Sequence, residues 1–359
     1  MTDLDDLITV LDFEQRAATL LPPGVHGFYA GGAGDEITLV ENREAFMRWQ
    51  FRPRMLVDVS TCTTRTTVLG EEISMPVVIA PFSVPHLAHP EGVRGIARAA
   101  TKAGTLHCIS SLADASPREV REAAPDGRFL FQAYWYGRDT GLTKALLELA
   151  GEAGFKAIVL TVDAPRLSRR ERDIRNRWSP PADMVVPSLN EATGGRLKYP
   201  GDLVAQLSDT MTWKDMEDIV EWSPLPVVAK GILTAEDAVL AAEHGAVGVV
   251  VSNHGGRQMD EVAASIDALP EVAEAVGDRL EVLLDSGIRR GSDVVKALAL
   301  GAKAVMIGRP TLWGLACGGQ QGVEKVLGAL QVEIDMALAL LGVTSPSQVG
   351  PRHLQRTPR

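Results

Sequence analysis

The sequence predicts an α/β fold, a closed (β/α)8 barrel of the TIM type, on three observations. Short β-branched apolar runs alternate with longer amphipathic stretches, the runs number eight, and several helices stop at a glycine just before the next run. A length of 359 residues suits one such barrel with insertions. The first strand is expected at Pro76–Pro81, followed by the helix Gly92–Ala103. Strands Thr105–Ser111 and Phe129–Tyr134 come next, then the helix Leu142–Ala153 and the fourth strand, Ala157–Asp163. The second half reads as strand Pro226–Gly231, helix Ala235–His244 and strand Val247–Asn253, then strand Leu280–Gly287, helix Asp293–Leu300 and strand Ala304–Arg309. The pairs Ala153-Gly154, His244-Gly245 and Leu300-Gly301 read as helix stops. The chain is expected to be one domain: a helical N-terminal extension over 1–68, the barrel over 69–345 and a C-terminal tail over 346–359. Residues 176–215, with Pro180-Pro181, Gly194-Gly195 and Pro200-Gly201, lack a clean period and read as a long loop after the fourth barrel strand (the strand-4 loop), on the catalytic face and placed to act as a lid.

Bulk composition narrows the partners. Hydrophobic residues make up 45% and charged residues 23%, the balance of a globular protein with a large core. A net charge of −10 with no basic run argues against nucleic acid or an anionic membrane surface, although a local arginine cluster can still receive an anionic substrate. Cys62, Cys108 and Cys317 are scattered and odd in number, which fits reduced thiols in a cytoplasm; no metal knuckle is present and no metal is expected. The opening Met1-Thr2-Asp3-Leu4-Asp5-Asp6 is acidic where a signal peptide would be basic. Apolar runs such as Ala246–Val251 fall far short of the roughly 20 residues that span a bilayer.

In a barrel of this kind, polar residues at the C-terminal ends of strands mark the site. Six strands end in this way: Gln132-Ala133-Tyr134, Thr161-Val162-Asp163, Lys230-Gly231, Ser252-Asn253-His254-Gly255-Gly256-Arg257, Asp285-Ser286-Gly287 and Gly308-Arg309. Gly287 and Gly308 would let backbone amides approach a ligand, with Arg289 and Arg309 as fork-shaped cations, at the place where this fold binds phosphate. Lys230, a cation near the end of an apolar strand, reads either as a Schiff-base nucleophile or as a fixed positive charge beside an electron-rich ring. His254 and Arg257 suit proton abstraction from a carboxylate-bearing substrate, with Asp163 a candidate to orient the imidazole.

The run Val251-Ser252-Asn253-His254-Gly255-Gly256-Arg257-Gln258 resembles the signature of the FMN-dependent α-hydroxy acid oxidases and dehydrogenases. The resemblance extends over nearly the whole chain, through Phe51-Arg52-Pro53-Arg54, Ala88-His89-Pro90-Glu91-Gly92, Arg169-Arg170-Glu171 and Ile307-Gly308-Arg309-Pro310. It implies FMN as cofactor, His254 as base and Asp163 as its partner. Arg257 and Arg170 would bind the substrate carboxylate, and Tyr134 would hydrogen-bond the substrate. Lys230 would lie by the flavin N1–O2 edge, with Ser110, Gln132, Thr161 and Ser252 around the ring and Ala80, Pro81 and Ser83 beneath it. Asp285 would hold the ribityl chain, and Gly287, Arg289, Gly308 and Arg309 the phosphate. The proton removed by His254 is either the hydroxyl or the α-proton; the same residues serve both routes. A homotetramer is the family's usual assembly.

Two positions depart from the glycolate oxidase pattern. Phe28 stands where those sequences carry a tyrosine whose hydroxyl helps to bind the carboxylate, and Leu112 stands where they carry a tryptophan. Both changes point to a larger, apolar substituent on the substrate, and the first is shared with hydroxymandelate oxidases. A mandelate-like (S)-α-hydroxy acid is therefore the expected substrate. Oxygen is the expected acceptor and hydrogen peroxide the product, because the apolar pieces of 176–215, such as Met184-Val185-Val186, are short for a membrane-binding loop. Lactate oxidation, a monooxygenase outcome and a quinone-linked mandelate dehydrogenase are the alternatives within the family. A barrel aldolase using Lys230 and a non-catalytic binding barrel are those outside it.

Overall fold

The computed structural model describes residues 4–137, 140–197, 199, 201 and 207–357. Three short strands come first: β1 (Trp49–Phe51), β2 (Thr66–Val68) and β3 (Glu71–Ile73). Eight parallel strands then close the predicted barrel. They are β4 (Val77–Ile79), β5 (Leu106–Ser110), β6 (Arg128–Ala133), β7 (Ile158–Thr161), β8 (Val227–Ile232), β9 (Gly248–Val251), β10 (Glu281–Leu284) and β11 (Ala304–Ile307). Hydrogen bonding runs in chain order, and β11 returns to β4 with Ile307 opposite Ile79. Gly154, Gly245 and Gly301 have φ of +71°, +88° and +107°, the left-handed backbone expected of helix stops.

Alternation along each strand sorts the core into two layers. Val78, Leu106, Cys108, Leu130, Val159, Val228, Val250, Leu283 and Met306 form one buried cluster, the barrel interior. The residues between them, among them Ile79, Ile109, Phe131, Leu160, Val249 and Val305, join the outer cluster under the helices. Burial on both faces is why these strands read as unbroken apolar runs. Val68 and Ile73 of the β2–β3 hairpin belong to the inner cluster. Glu281, the first residue of β10, accepts from the Leu69 amide at 2.8 Å, so the hairpin plugs the N-terminal mouth and leaves the other mouth for a site.

Three regions differ from the sequence expectation. The extension over 1–68 is helical only in part: α1 (Val10–Leu20), α2 (Pro23–Ala30) and α3 (Ile37–Glu44) are followed by β1, and β2 already belongs to the plug. The C-terminal stretch is no loose tail, because Leu354–Arg356 pairs antiparallel with β1. Strands of three residues are too short for a periodic signal, and their pairing is a tertiary event. The segment 176–215 holds a helix at Pro187–Ala192, and Trp213 begins another that ends at Trp222, started by a Thr212–Asp215 capping box. Residues 198, 200 and 202–206 of this segment, including Lys198, Pro200 and Asp202, lie outside the described residues. Among the described residues no helix is long and apolar enough to cross a membrane.

Candidate active site

Two residues beyond the inner apolar layer, on the same face of each barrel strand, stand Ala80, Ser110, Gln132, Thr161, Lys230, Ser252, Asp285 and Gly308. Here the barrel changes from hydrocarbon to small and polar groups, and all but Gly308 are buried. Around the ring the chemistry falls into sectors. Ala80 and Gly308, from the neighbouring strand ends of β4 and β11, are small. Across β5, β6 and β7 the Ser110 hydroxyl donates to Gln132 Oε1 at 3.0 Å, and Gln132 Nε2 donates to Thr161 Oγ1 at 3.0 Å. One amide proton of Gln132 and the Thr161 hydroxyl proton are left for a ligand.

The third sector is charged. Lys230 Nζ meets Asp285 Oδ2 at 3.0 Å and donates to Ser252 Oγ at 3.0 Å. Burial works against its charge, but Asp285 and then Asp163 outweigh burial and raise the pKa above that of an ordinary lysine. An amine held protonated is a poor nucleophile, which weighs against the Schiff-base reading. Borohydride added with an α-keto acid is expected to leave Lys230 unmodified, as peptide mass spectrometry would report.

Beyond this ring lies a cluster of arginines, Arg289 buried and Arg170, Arg257 and Arg309 half-buried. Arg309 donates from Nε, Nη1 and Nη2 to the carbonyls of Tyr29, Gly255 and Gly31, each at 2.9 Å. Burial, reinforced by the nearby Arg289, pushes its pKa down to about 9. Arg289 donates to its neighbour's carbonyl at Ile288 and lies 3.4 Å from Glu14 of α1. Burial first, then Arg170 and Arg309, hold Arg257 well below its ordinary value. Cations crowded in this way are stabilised by an anion. A Cβ on Gly308 would meet nothing nearer than Ala80 Cβ at 3.9 Å, so protein packing does not demand glycine there, whereas close approach by a ligand would. Gly287 is a different case. Its φ is +82° and a Cβ would lie 1.9 Å from the Asn42 carbonyl, so packing against α3 already accounts for this glycine without a phosphate.

The chemistry-bearing side chains rise from the β7 and β9 ends. His254 Nδ1 lies 2.9 Å from Asp163 Oδ1, and the His254 amide donates to Ser252 Oγ. His254 has φ of +59°, a left-handed backbone that costs a non-glycine residue about 1–3 kcal/mol. That turn is held by Asn253, which exchanges two amide hydrogen bonds with Asn42 of α3 (2.7 and 2.8 Å) and accepts from Gly256 N. Asp163 is pushed up by burial but ends below the usual carboxyl value because His254, and then Lys230, stabilise its charge. Arg257 Nη1 donates to the carbonyls of Phe28 (2.6 Å) and Gly31 (2.9 Å), and Arg170 Nε reaches the Arg257 carbonyl at 3.4 Å. Tyr134 and Thr161 line a cavity of about 500 Å³ with Gly231, Met211 and Trp213. Pro81 and Ser83 are half-buried just beyond β4. Leu112, partly buried, accepts from Val84 N at 3.1 Å through its carbonyl.

The predicted set therefore assembles around one mouth of the barrel. Four supporting residues, Glu14, Tyr29, Asn42 and Trp178, are not legible in the sequence. Tyr29 donates to the Val84 carbonyl at 2.7 Å, and Trp178 stacks on Phe28 with ring centroids 4.0 Å apart. Each acts across a large gap in sequence, where only the fold brings the partners together.

A profile of the family described as FMN-dependent dehydrogenase matches residues 17–356. The chain belongs to the FMN-dependent dehydrogenase family. FMN is its cofactor, and oxidation of an α-hydroxy acid is its reaction class. Its relatives include an L-lactate oxidase from Nostoc sp., 48% identical over 95% of this chain and 96% of the relative. Glycolate oxidase 3 from Oryza sativa subsp. indica is 47% identical over 97% of this chain and 96% of its own length. Among solved structures, a mandelate oxidase variant with (S)-mandelic acid superimposes with a TM-score of 0.89 at 40% identity, covering 98% of both chains. An active chimera of (S)-mandelate dehydrogenase gives 0.91 at 36% identity, covering 98% of this chain and 100% of its own. The residues of the present enzyme fit FMN. A planar ring with acceptors and an N–H on its edge suits the Ser110–Gln132–Thr161 chain and Lys230, and a phosphate dianion suits Arg289 and Arg309 beside Gly308.

Proposed function

We propose that this FMN enzyme oxidises a mandelate-like (S)-α-hydroxy acid to its α-keto acid, passing the electrons to oxygen and releasing hydrogen peroxide. The observation that carries the substrate class is the pair Phe28 and Leu112: a phenyl ring stacked on Trp178 and an isobutyl group, where glycolate oxidases carry a tyrosine and a tryptophan. An aryl substituent gains from such apolar and aromatic walls, whereas a hydrogen or methyl group does not fill them. The mandelate-binding structural neighbours agree with this reading. A second reading, a small alkyl α-hydroxy acid, is favoured by the higher overall identity to lactate and glycolate oxidases. Overall identity counts the scaffold, while selectivity rests on a few pocket residues.

In this reading Arg257 and Arg170 hold the carboxylate and Tyr134 hydrogen-bonds the substrate. His254 takes up the proton, and Asp163 stabilises the imidazolium and fixes its orientation. FMN, when bound, supplies the two-electron acceptor. Lys230 would place a positive charge beside the ring, and Ser110, Gln132, Thr161, Ser252, Ala80, Pro81 and Ser83 would hold it. Asp285 would hold the ribityl chain, and Arg289, Arg309, Gly308 and the Gly287 backbone the phosphate. Oxygen as acceptor is supported by the strand-4 loop: Met184 and Val186 are buried against the protein, leaving only Val185 of that trio exposed to meet a membrane. A cytoplasmic location, supported by the three free cysteines, and a homotetramer, the family's usual assembly, complete the proposal.

The test is an anaerobic absorption spectrum before and after (S)-mandelate, (S)-lactate or glycolate. Flavin bleaching fastest with mandelate, followed by recolouring and peroxide release in air, is the expected result. Faster bleaching by lactate or glycolate would overturn the aryl reading and leave the family standing. Leu112→Trp is expected to lower kcat/KM for mandelate relative to lactate by roughly 10- to 100-fold, the scale on which a filled apolar pocket discriminates.

A further inference from the structure

The stem of the strand-4 loop lies directly against α2. After the short helix Glu171–Arg175, Arg177 adopts a left-handed backbone (φ +49°) and turns the chain back, with the Trp178 amide donating to the Asp173 carbonyl at 2.9 Å. Arg172 pairs with Glu36, and Asn176 Nδ2 reaches the Pro23 carbonyl at 3.5 Å. Two glycines of α2 make room for this stem. A Cβ on Gly24 would lie 2.5 Å from Trp178 Cδ1, and one on Gly27 would lie 2.4 Å from Asn176 Nδ2. Trp178 seated in this groove stacks on Phe28, centroids 4.0 Å apart and planes tilted by 22°. Phe28 in turn holds Arg257 twice: its carbonyl accepts from Nη1 at 2.6 Å, and its ring centroid is 5.2 Å from the guanidinium carbon.

We infer that Trp178 is a positioning residue for Arg257, acting through Phe28, and that the Gly24 groove exists to seat it. The inference rests on the reading of Arg257 as the group that binds the substrate carboxylate. Arg257 lies beside Arg170 and Arg309, and among the described residues its fork is held by the Phe28 and Gly31 carbonyls and the Phe28 ring before an anion arrives. Losing the indole frees Phe28, and Arg257 then spends part of the binding energy on finding its place.

Steady-state kinetics and anaerobic flavin reduction of the FMN-loaded enzyme test this with three variants, using the α-hydroxy acid that reduces the wild type fastest. Trp178→Ala is expected to raise KM about 2- to 10-fold, the size of one aromatic stacking contact, while the limiting rate of flavin reduction stays within about twofold. Trp178→Phe is expected to restore most of the KM. Gly24→Ala, a change that favours a helix by itself, is expected to raise KM like Trp178→Ala, because the new methyl displaces the indole. An unchanged KM in both Trp178→Ala and Gly24→Ala overturns the inference. So does a fall in limiting rate and FMN content together that Trp178→Phe fails to rescue, since that is a folding role. A wild type that no α-hydroxy acid reduces would instead overturn the reading of Arg257 beneath it.

Discussion

Replacing His254 with alanine is expected to slow anaerobic flavin reduction by about 10²- to 10⁴-fold while the protein keeps its FMN, the scale of a lost general base. The geometry makes the effect specific to proton uptake. Among the described residues the imidazole bonds Asp163 alone, through Nδ1, so Nε2 is the nitrogen left to meet the substrate. Asp163 Oδ2 is buried and has no hydrogen-bond partner among the described residues, so the carboxylate depends on His254 and Lys230 for its stabilisation. Its pKa is below the ordinary carboxyl value, so the stability it contributes is present above that value and is lost as pH falls through its lower folded pKa. Above that window the imidazole keeps its anionic partner throughout the neutral range. Asp163→Asn is therefore expected to slow reduction as well, since an amide cannot stabilise an imidazolium. Stopped-flow absorbance with saturating substrate measures both; wild-type reduction rates in His254→Ala would remove His254 from the chemistry.

The second large effect is on stability. Lys230→Met is expected to cost about 3–5 kcal/mol, because it leaves the Asp285 carboxylate buried and without its cation. The two side chains are only 5% and 9% exposed, so water cannot replace the missing partner. The double variant Lys230→Met with Asp285→Leu is expected to recover most of that loss, since removing both charges removes the unpaired one. Urea unfolding at fixed excess FMN measures the series. The sign with pH follows from the raised Lys230 pKa: its contribution is complete below the ordinary lysine value and disappears only as pH rises through the higher folded value. A double variant no more stable than Lys230→Met would mean that Asp285 is satisfied by other groups, Ser286 among them.

The interior layer explains why so much of this site was legible. A barrel strand has period two and a fixed direction, so a residue two places beyond an inward apolar residue must point into the mouth. Lys230 after Val228, Asp285 after Leu283 and Gln132 after Leu130 could be placed from the sequence for this reason, without any contact being known. The helix stops at Gly154, Gly245 and Gly301 were equally local, since a left-handed backbone is a property of one residue. Gly287 was read in the same local way, and the Asn42 carbonyl packed against it adds a second reason for glycine there that only the fold supplies.

By itself, then, the sequence determined the eight-strand order, the direction of the polar strand ends and the family to which the signature around His254 belongs. Only the tertiary structure decided how that signature is held. The amide pair between Asn42 and Asn253, the three carbonyls around Arg309, the β1 pairing with the C-terminal strand and the seat of Trp178 against α2 each join residues far apart in the chain. The physical reason is one of range. Backbone preference and alternation act over a few residues and leave a periodic trace, whereas these contacts arise when the N-terminal extension and the strand-4 loop fold over the barrel mouth, an event with no periodic trace in the chain.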